Sequence, residues 1–363
     1  MLLYNKLGRK YALQKLYAEE FKRVTISFYR YVIIDSPKEY RDQLFTDWSA
    51  LDCFGRVYLA REGANAQMSI PEHKLTDFLN KLSQDKYLAN VPIKYAVEDD
   101  GKSFWKLTIK VRKKIVADGL DDSAYDVTNV GTHLSAIEFH ELVGQQDVQV
   151  VDMRNHYESE IGRFEHAYCP DSDTLREAIT DVEERFAGQK DRKLLLYCTG
   201  GIRCEKASAY LKSKGFKDVN QLHGGIIEYA RQVKSLHLDS KFTGKNFVFD
   251  NRLGESIDGK VISKCHQCGA PCDTHTNCAN DDCHLLFIQC KKCNEIHNGC
   301  CSTDCMNIAA LPQEERKEYR KLRHQKYANS KIFKSRLRPR LTGEVSMVGN
   351  ESPAVGFLNK NVN

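Results

Sequence analysis

Residues 194–206 read Leu-Leu-Leu-Tyr-Cys-Thr-Gly-Gly-Ile-Arg-Cys-Glu-Lys. An apolar run of strand length ends on Cys198, crosses two glycines and enters a segment with helical spacing. Few folds accept that order. Gly200 and Gly201 allow backbone angles that side chains forbid and turn successive N–H groups toward Cys198. The helix predicted over 204–213, with Ala207, Tyr210 and Leu211 on one face, adds its positive N-terminal end. Both effects favour an anion, and a free cysteine titrating near ~8.5 is pulled down by such neighbours. Cys198 is therefore the expected nucleophile. Arg203 is its expected charge partner or substrate clamp, and Thr199, Gly200, Gly201 and Ile202 form the loop between them. The competing use of Cys198, a small buried hydrophobe at a strand end, leaves the paired glycines and the arginine without a purpose.

Around this element the chain has the size of two or three domains, 363 residues with 41% hydrophobic content. No apolar run approaches the ~20 residues of a membrane helix, and the opening residues lack a signal-peptide core, so the expected setting is cytoplasmic. Neither a membrane nor DNA is an expected partner. Ten of the fourteen cysteines crowd into residues 265–305. In a reducing compartment such crowding reads as metal ligation rather than as a disulfide framework. Net charge is only +5, but residues 316–340 hold eleven Lys or Arg against a single acid, Glu318. Such a run is either a solvated terminus or a surface for a polyanion such as RNA.

Residues 24–116 alternate short strands and helices. Strand patterns cover 24–34, 56–70 (broken at Glu62-Gly63), 93–97 and 104–116, with helices over 38–51 and 75–82. This is the β-α-β-β-α-β plan of a ferredoxin-like (acylphosphatase-like) domain. In the last strand Trp105, Leu107, Ile109 and Val111 alternate with Lys106, Thr108, Lys110, Arg112 and Lys114, so one face is basic. It is either an edge kept soluble by lysines or a phosphate-contacting surface extended by Arg56 and Arg61. Residues 118–129 form an acidic linker. Residues 148–152 and 194–197 read as buried parallel strands with helices between them, an α/β pattern. Residues 236–259 read as a second connection. The expected domains are 1–125, 126–243 and a Cys-rich module at 244–363 with the basic tail. Asp152 and Arg154, at the end of the first parallel strand, are expected to form a buried pair that supports the loop.

The cysteine module offers Cys265, Cys268, Cys272, Cys278, Cys283, Cys290, Cys293, Cys300, Cys301 and Cys305, with His266, His275, His284 and His297 interleaved. Two C-x-x-C knuckles, with Cys268 and Cys290 as their inner residues, can close an all-cysteine tetrahedral zinc site, and the remaining ligands allow a second. A region this poor in aliphatic residues has little else to fold around. Disulfides, free thiols or an iron–sulfur cluster are the competing uses, and the pairing of ligands is left open.

Tyr-Cys-Thr-Gly-Gly-Ile-Arg-Cys (197–204) resembles the active loop of rhodanese-like domains. Val150-Val151-Asp152-Met153-Arg154, the Tyr157-Glu158 pair and Gly224-Gly225 agree with that resemblance. More narrowly, residues 55–63, 152–158 and 266–273 resemble the rhodanese-domain tRNA uridine 5-hydroxylases. That resemblance implies a rhodanese-like central domain and oxygen-dependent conversion of the wobble uridine of tRNA to 5-hydroxyuridine, with molecular oxygen as co-substrate and tRNA as partner. The rhodanese loop alone implies a persulfide-carrying sulfurtransferase, and a non-catalytic RNA-binding scaffold is a third reading. For hydroxylation, a thiolate adding at carbon 6 of uracil would make carbon 5 electron-rich, with Arg203 and the loop N–H groups holding charge on the base carbonyl. Cys204 could protect or resolve an oxidised Cys198, or serve only the helix start. Tyr197 or Tyr157 could stack on a base drawn out of the anticodon.

Overall fold

The structure is a computed structural model that describes residues 8–283 and 285–319. The chain forms two compact units that divide between Lys260 and Val261.

The first unit opens with α1 (Arg9–Tyr17) and a five-stranded sheet. Its elements are β1 (Arg23–Tyr31), α2 (Pro37–Ala50), β2 (Phe54–Ala60), β3 (Gly63–Pro71), α3 (Leu75–Ser83), β4 (Lys94–Tyr95) and β5 (Leu107–Val111). Period-two alternation sends Ile26 and Phe28 of β1 into the core and Ser27 and Tyr29 to the opposite face. Pro37 opens α2 at a position where a missing N–H costs nothing. Helical spacing then carries Tyr40, Leu44 and Trp48 onto the sheet beside Phe78 and Leu82 of α3. The strand order is β4-β1-β3-β2-β5. The two late strands thus part company: β4 lies antiparallel to β1 at one edge, while β5 lies parallel to β2 at the other.

After an acidic stretch come β6 (Thr132–Leu134), α4 (Ala136–Leu142), β7 (Val148–Asp152), α5 (His156–Ile161), β8 (Gly162–Phe164), α6 (Leu175–Arg185), β9 (Lys193–Tyr197), α7 (Ile202–Ser213), β10 (Val219–Leu222) and α8 (Gly225–Ser235). Strands β6-β10-β9-β7 form a parallel sheet in that order. β9 is apolar from Leu194 to Tyr197 because both its faces are covered there. Leu194 and Leu196 meet α6 and α7, whereas Leu195 and Tyr197 meet α4 and α8.

The expected connection over 236–259 is instead structured. β11 (Phe242–Asn246) pairs antiparallel with β8, and β12 (Glu255–Ser256) pairs with β11. Phe242 packs against Phe164 and Tyr229, so burial of this aromatic ties the segment to the first unit. The compact unit that holds the cysteine groups begins at Val261. It contains the hairpin β13 (His275–Asn277) and β14 (Leu286–Ile288), α9 (Lys291–His297) and α10 (Thr303–Ala310). Its apolar cluster is small, built on Leu285 and Phe287 among cysteines. Most of the basic run at 316–340 lies outside the described residues. No described helix is long and apolar enough to cross a membrane.

Candidate active site and metal-ligand groups

β9 delivers Cys198 to the C-terminal edge of the parallel sheet, and α7 starts four residues later. Gly201 caps that helix at φ +96°, a conformation open to glycine. Its N–H donates to Cys198 Sγ at 3.1 Å. Gly225, at φ +69°, lets the next turn close on the loop: a Cβ there would stand 2.6 Å from the carbonyl oxygens of Cys198 and Thr199. The N–H groups of Ile226 and Ile227 donate to those same carbonyls. Burial opposes ionisation of Cys198. The Cys204 thiol, the Arg203 charge and the N–H groups of Arg203 and Gly201 outweigh it and bring the thiol down to about 5. Cys204 moves the opposite way, raised by burial and by its bond to Cys198.

Cys198, the expected nucleophile, is fully buried. Two features differ from the sequence-based expectation. Arg203 does not present a free fork. Its Nη1 and Nη2 donate to the two carboxylate oxygens of Glu158 at 2.6 and 2.8 Å, and Nη2 lies 3.3 Å from Thr199 Oγ1. Glu158 is fully buried, and despite the burial penalty this pairing holds its carboxyl below the usual range. Tyr197 is core: its hydroxyl donates to Asp152 at 2.7 Å and its ring packs on Phe164, which leaves no face for a base. The Asp152–Arg154 pair is buried as expected, with Arg154 Nη2 donating to Asp152 Oδ2 and to the Gly162 carbonyl, each at 2.6 Å. Tyr157 packs on Phe247, and Phe249 lies beyond it under the Arg203 guanidinium.

The acylphosphatase-like sheet supplies residues that local patterns did not flag. Tyr29 donates to Glu205 at 3.0 Å, and Tyr31 donates to the Ile202 carbonyl at 3.3 Å. Glu205 also meets His133 at 2.9 Å and Gln221 at 3.0 Å. Glu62, in the β2–β3 turn, accepts from Lys206 of α7 at 2.7 Å. Lys94 of β4 lies across Gly200 and Gly224. Two tyrosines alternating along the polar face of β1 were the available signal, since such a face normally meets water.

The proposed basic surface is narrower than its sequence pattern. Arg56, Arg61, Lys110 and Arg112 are exposed and Lys106 is half-buried over Trp105. Lys114 is not part of it. The strand ends at Val111, and Lys114 turns inward to donate to Asp118 at 2.7 Å, to Asp122 at 2.9 Å and to the Leu120 carbonyl at 2.8 Å.

In the second unit Cys265, Cys268, Cys290 and Cys293 form one group and Cys278, Cys283, Cys301 and Cys305 another, with ligand atoms within 4.8 Å of one another in each. Cys272 and Cys300 stand outside both groups. Sulfur separations of 3.6 Å (Cys268–Cys290), 3.7 Å (Cys283–Cys301) and 3.6 Å (Cys301–Cys305) exceed a disulfide bond and match the edge of a tetrahedron with ~2.3 Å metal–sulfur bonds. Backbone N–H groups of Cys290 and Cys301 donate to Cys265 and Cys278 Sγ, as knuckles around thiolates require. The residues fit a divalent metal of zinc's size.

A parallel sheet that ends in a buried thiolate cradle, preceded by an acylphosphatase-like sheet, defines a rhodanese-fold protein with an appended domain. Family models agree: the UPF0176 acylphosphatase like domain matches residues 23–115, the rhodanese-like domain 135–232 and the rhodanase C-terminal model 243–306. The chain is 54% identical over 341 residues to a protein of Leptospira interrogans named tRNA uridine(34) hydroxylase, covering 94% of this chain and 92% of that one. Proteins of the same name from Salmonella newport and Enterobacter sp. are 49% and 50% identical. They cover 95% and 88% of this chain and 98% and 92% of their own lengths. The chain belongs to the tRNA uridine(34) hydroxylase family.

Proposed function

We propose that this protein hydroxylates carbon 5 of uridine 34 of tRNA, using molecular oxygen and Cys198 as nucleophile. The observation that carries the reading is the Cys198 thiolate, held down to about 5 inside a cradle of N–H donors. Its sulfur adds to carbon 6, and the carbon 5–carbon 6 π pair moves toward carbon 5 and O4 as an enolate. Carbon 5 then takes one atom of dioxygen. The other atom leaves as water with two protons and two electrons from a thiol-class reductant, and loss of the carbon 5 proton with departure of Cys198 restores the ring. Glu158 fastens Arg203 so that the loop keeps its shape through both additions.

Arg56, Arg61, Lys106, Lys110 and Arg112 are assigned to the tRNA backbone, where such contacts position without reading sequence. The two four-cysteine groups are assigned to structural zinc. Zinc there supplies folding energy to a unit with little apolar core. A cytoplasmic setting accords with the tRNA substrate and with thiols that are all unpaired among the described residues. Purified protein incubated with tRNA and a thiol reductant under isotopically heavy dioxygen should yield 5-hydroxyuridine carrying the heavy atom. Oxygen drawn from water, or a thiolated product, would refute the reading.

A further inference from the structure

Lys94 reaches the Cys198 cradle from a different domain. It sits on β4, opposite Ser27 of β1, and is only 7% exposed. Its stem crosses the active loop: a Cβ at Gly200 would stand 3.9 Å from its Cδ, and one at Gly224 would stand 3.8 Å from its Cε. Its Nζ rests 4.6 Å from the centre of the Tyr29 ring. Among the described residues no oxygen of the chain hydrogen-bonds that amine. Lys206, the neighbouring buried lysine, shows the contrast, with Glu62 at 2.7 Å and Asp122 at 3.0 Å.

The stem is enclosed while the amine itself keeps contact with solvent, so its bonding capacity is open to an incoming group. The negative groups that face it are Cys198, Glu228 and Glu205. Both carboxylates already have donors: Gln232 on Glu228, and Tyr29, His133 and Gln221 on Glu205. Of these three groups Cys198 is the one that reacts, and the atom that extends its charge in the reaction is on the substrate. We infer that the Lys94 ammonium receives the base, hydrogen-bonding the uracil carbonyl oxygen that becomes negative as Cys198 adds. The inference rests on the hydroxylase reading above. In that step the thiolate pair forms the sulfur–carbon 6 bond, the ring π pair moves onto the enolate, and no proton or oxidant is consumed. A donor aimed at developing charge in a water-poor site is worth about 10²–10³ in rate.

The pH dependence has a definite sign. Burial lowers Lys94 to about 8 against the pull of Cys198, Glu228 and Glu205. Cys198, faced by Cys204, Arg203, Tyr29 and Lys94, is ionised above about 5. Both reactive forms coexist between those values, which gives a bell-shaped profile.

The test compares Lys94→Met and Lys94→Arg in the full chain. Its readouts are turnover, tRNA affinity, oxygen-free exchange of the uridine carbon 5 hydrogen with heavy water, and the pH profile of Cys198 alkylation by iodoacetamide. Lys94→Met should lose about 10²–10³-fold in turnover and exchange with affinity nearly unchanged. Lys94→Arg should recover part of both and lose the alkaline limb near pH 8, because a guanidinium stays charged. Turnover of Lys94→Met close to wild type, or equal loss in both variants with the alkaline limb unmoved, overturns the inference. Should Lys94→Met fail to fold, the limb of Lys94→Arg decides. If the wild type makes no 5-hydroxyuridine, the hydroxylase reading is what has failed. Alkylation then judges Lys94 alone: a midpoint raised by about one unit in Lys94→Met supports it as the cation facing Cys198, and an unmoved midpoint refutes it.

Discussion

Cys198 and the cysteines of the second unit present thiols in opposite ways. Cys198 has its charge stabilised by groups that are not themselves acids of similar strength: two N–H groups and the Arg203 cation, with only Cys204 as a thiol neighbour. The eight ligand-type cysteines face mainly one another, within 4.8 Å in each group. A cradle of donors leaves one sulfur ionised with an unshared pair, which suits attack on carbon. A ring of sulfurs is mutually repulsive once ionised and becomes stable when a cation sits at its centre. Cysteine count is thus a poor guide to reactivity, and the type of neighbour is a good one.

The comparison can be broken most sharply at Cys198. Cys198→Ala should abolish 5-hydroxyuridine formation, a loss of at least about 10³-fold on the scale of a removed nucleophile, as read by nucleoside mass spectrometry. Residual turnover within tenfold of wild type would move the nucleophile elsewhere. Metal removal is the matching test of the second unit. Elemental analysis should find two zinc ions per chain, one for each cysteine group. A strong chelator should release both and unfold residues 261–319 by hydrogen exchange while sparing β9 and α7. Protein that is metal-free and equally protected in that unit would contradict the assignment.

Smaller effects sharpen the account. Glu158→Gln leaves the Arg203 guanidinium buried without its anion, a change that costs about 3–5 kcal/mol in comparable pairs. Urea unfolding should show that loss together with impaired turnover. Alkylation should also separate the first unit's own thiols. Cys198 is reactive as thiolate from about pH 5, while burial pushes Cys53 and Cys169 up to about 12. Because the folded Cys198 titrates below its unfolded value of ~8.5, it contributes stability that is fully present above that value and lost as pH falls through about 5. Cys198→Ala should flatten that part of the stability profile. The smallest effect concerns the basic face. Lys110→Glu should weaken tRNA binding and flatten the log–log salt slope by ~0.7–0.9 for each phosphate that is no longer neutralised. Lys114→Gln should leave the slope alone, because its amine is spent on Asp118 and Asp122.

What could be read in advance was local. The thiol, the glycine turn, Arg203 and the helix start are continuous in sequence, although Gly225 and the N–H groups of Ile226 and Ile227 close the loop from a distance. The two C-x-x-C knuckles were legible in the same way, because each is its own tight turn, but which cysteines share a site was not, since Cys268 and Cys290 meet across 22 positions. What escaped depends on contacts between distant residues. Glu158 meets Arg203 across 45 positions and Tyr29 meets Glu205 across 176. Alternation along β1 shows that Tyr29 and Tyr31 share a face but not that α7 covers it. The same limit applies to Lys114, whose strand pattern continues in sequence after the pairing with β2 has ended. Tyr197 was legible as a strand residue, but its role was set by Asp152 on the next strand.

The most direct test of the central claim is to trap the carbon 6 adduct. Wild-type protein mixed with tRNA bearing 5-fluorouridine at position 34 should give a denaturant-stable complex whose cross-linked peptide contains Cys198, because fluorine at carbon 5 cannot leave as a proton does. Cys198→Ala should give none. A complex mapped to any other cysteine, or no complex while ordinary tRNA is still hydroxylated, would contradict the account.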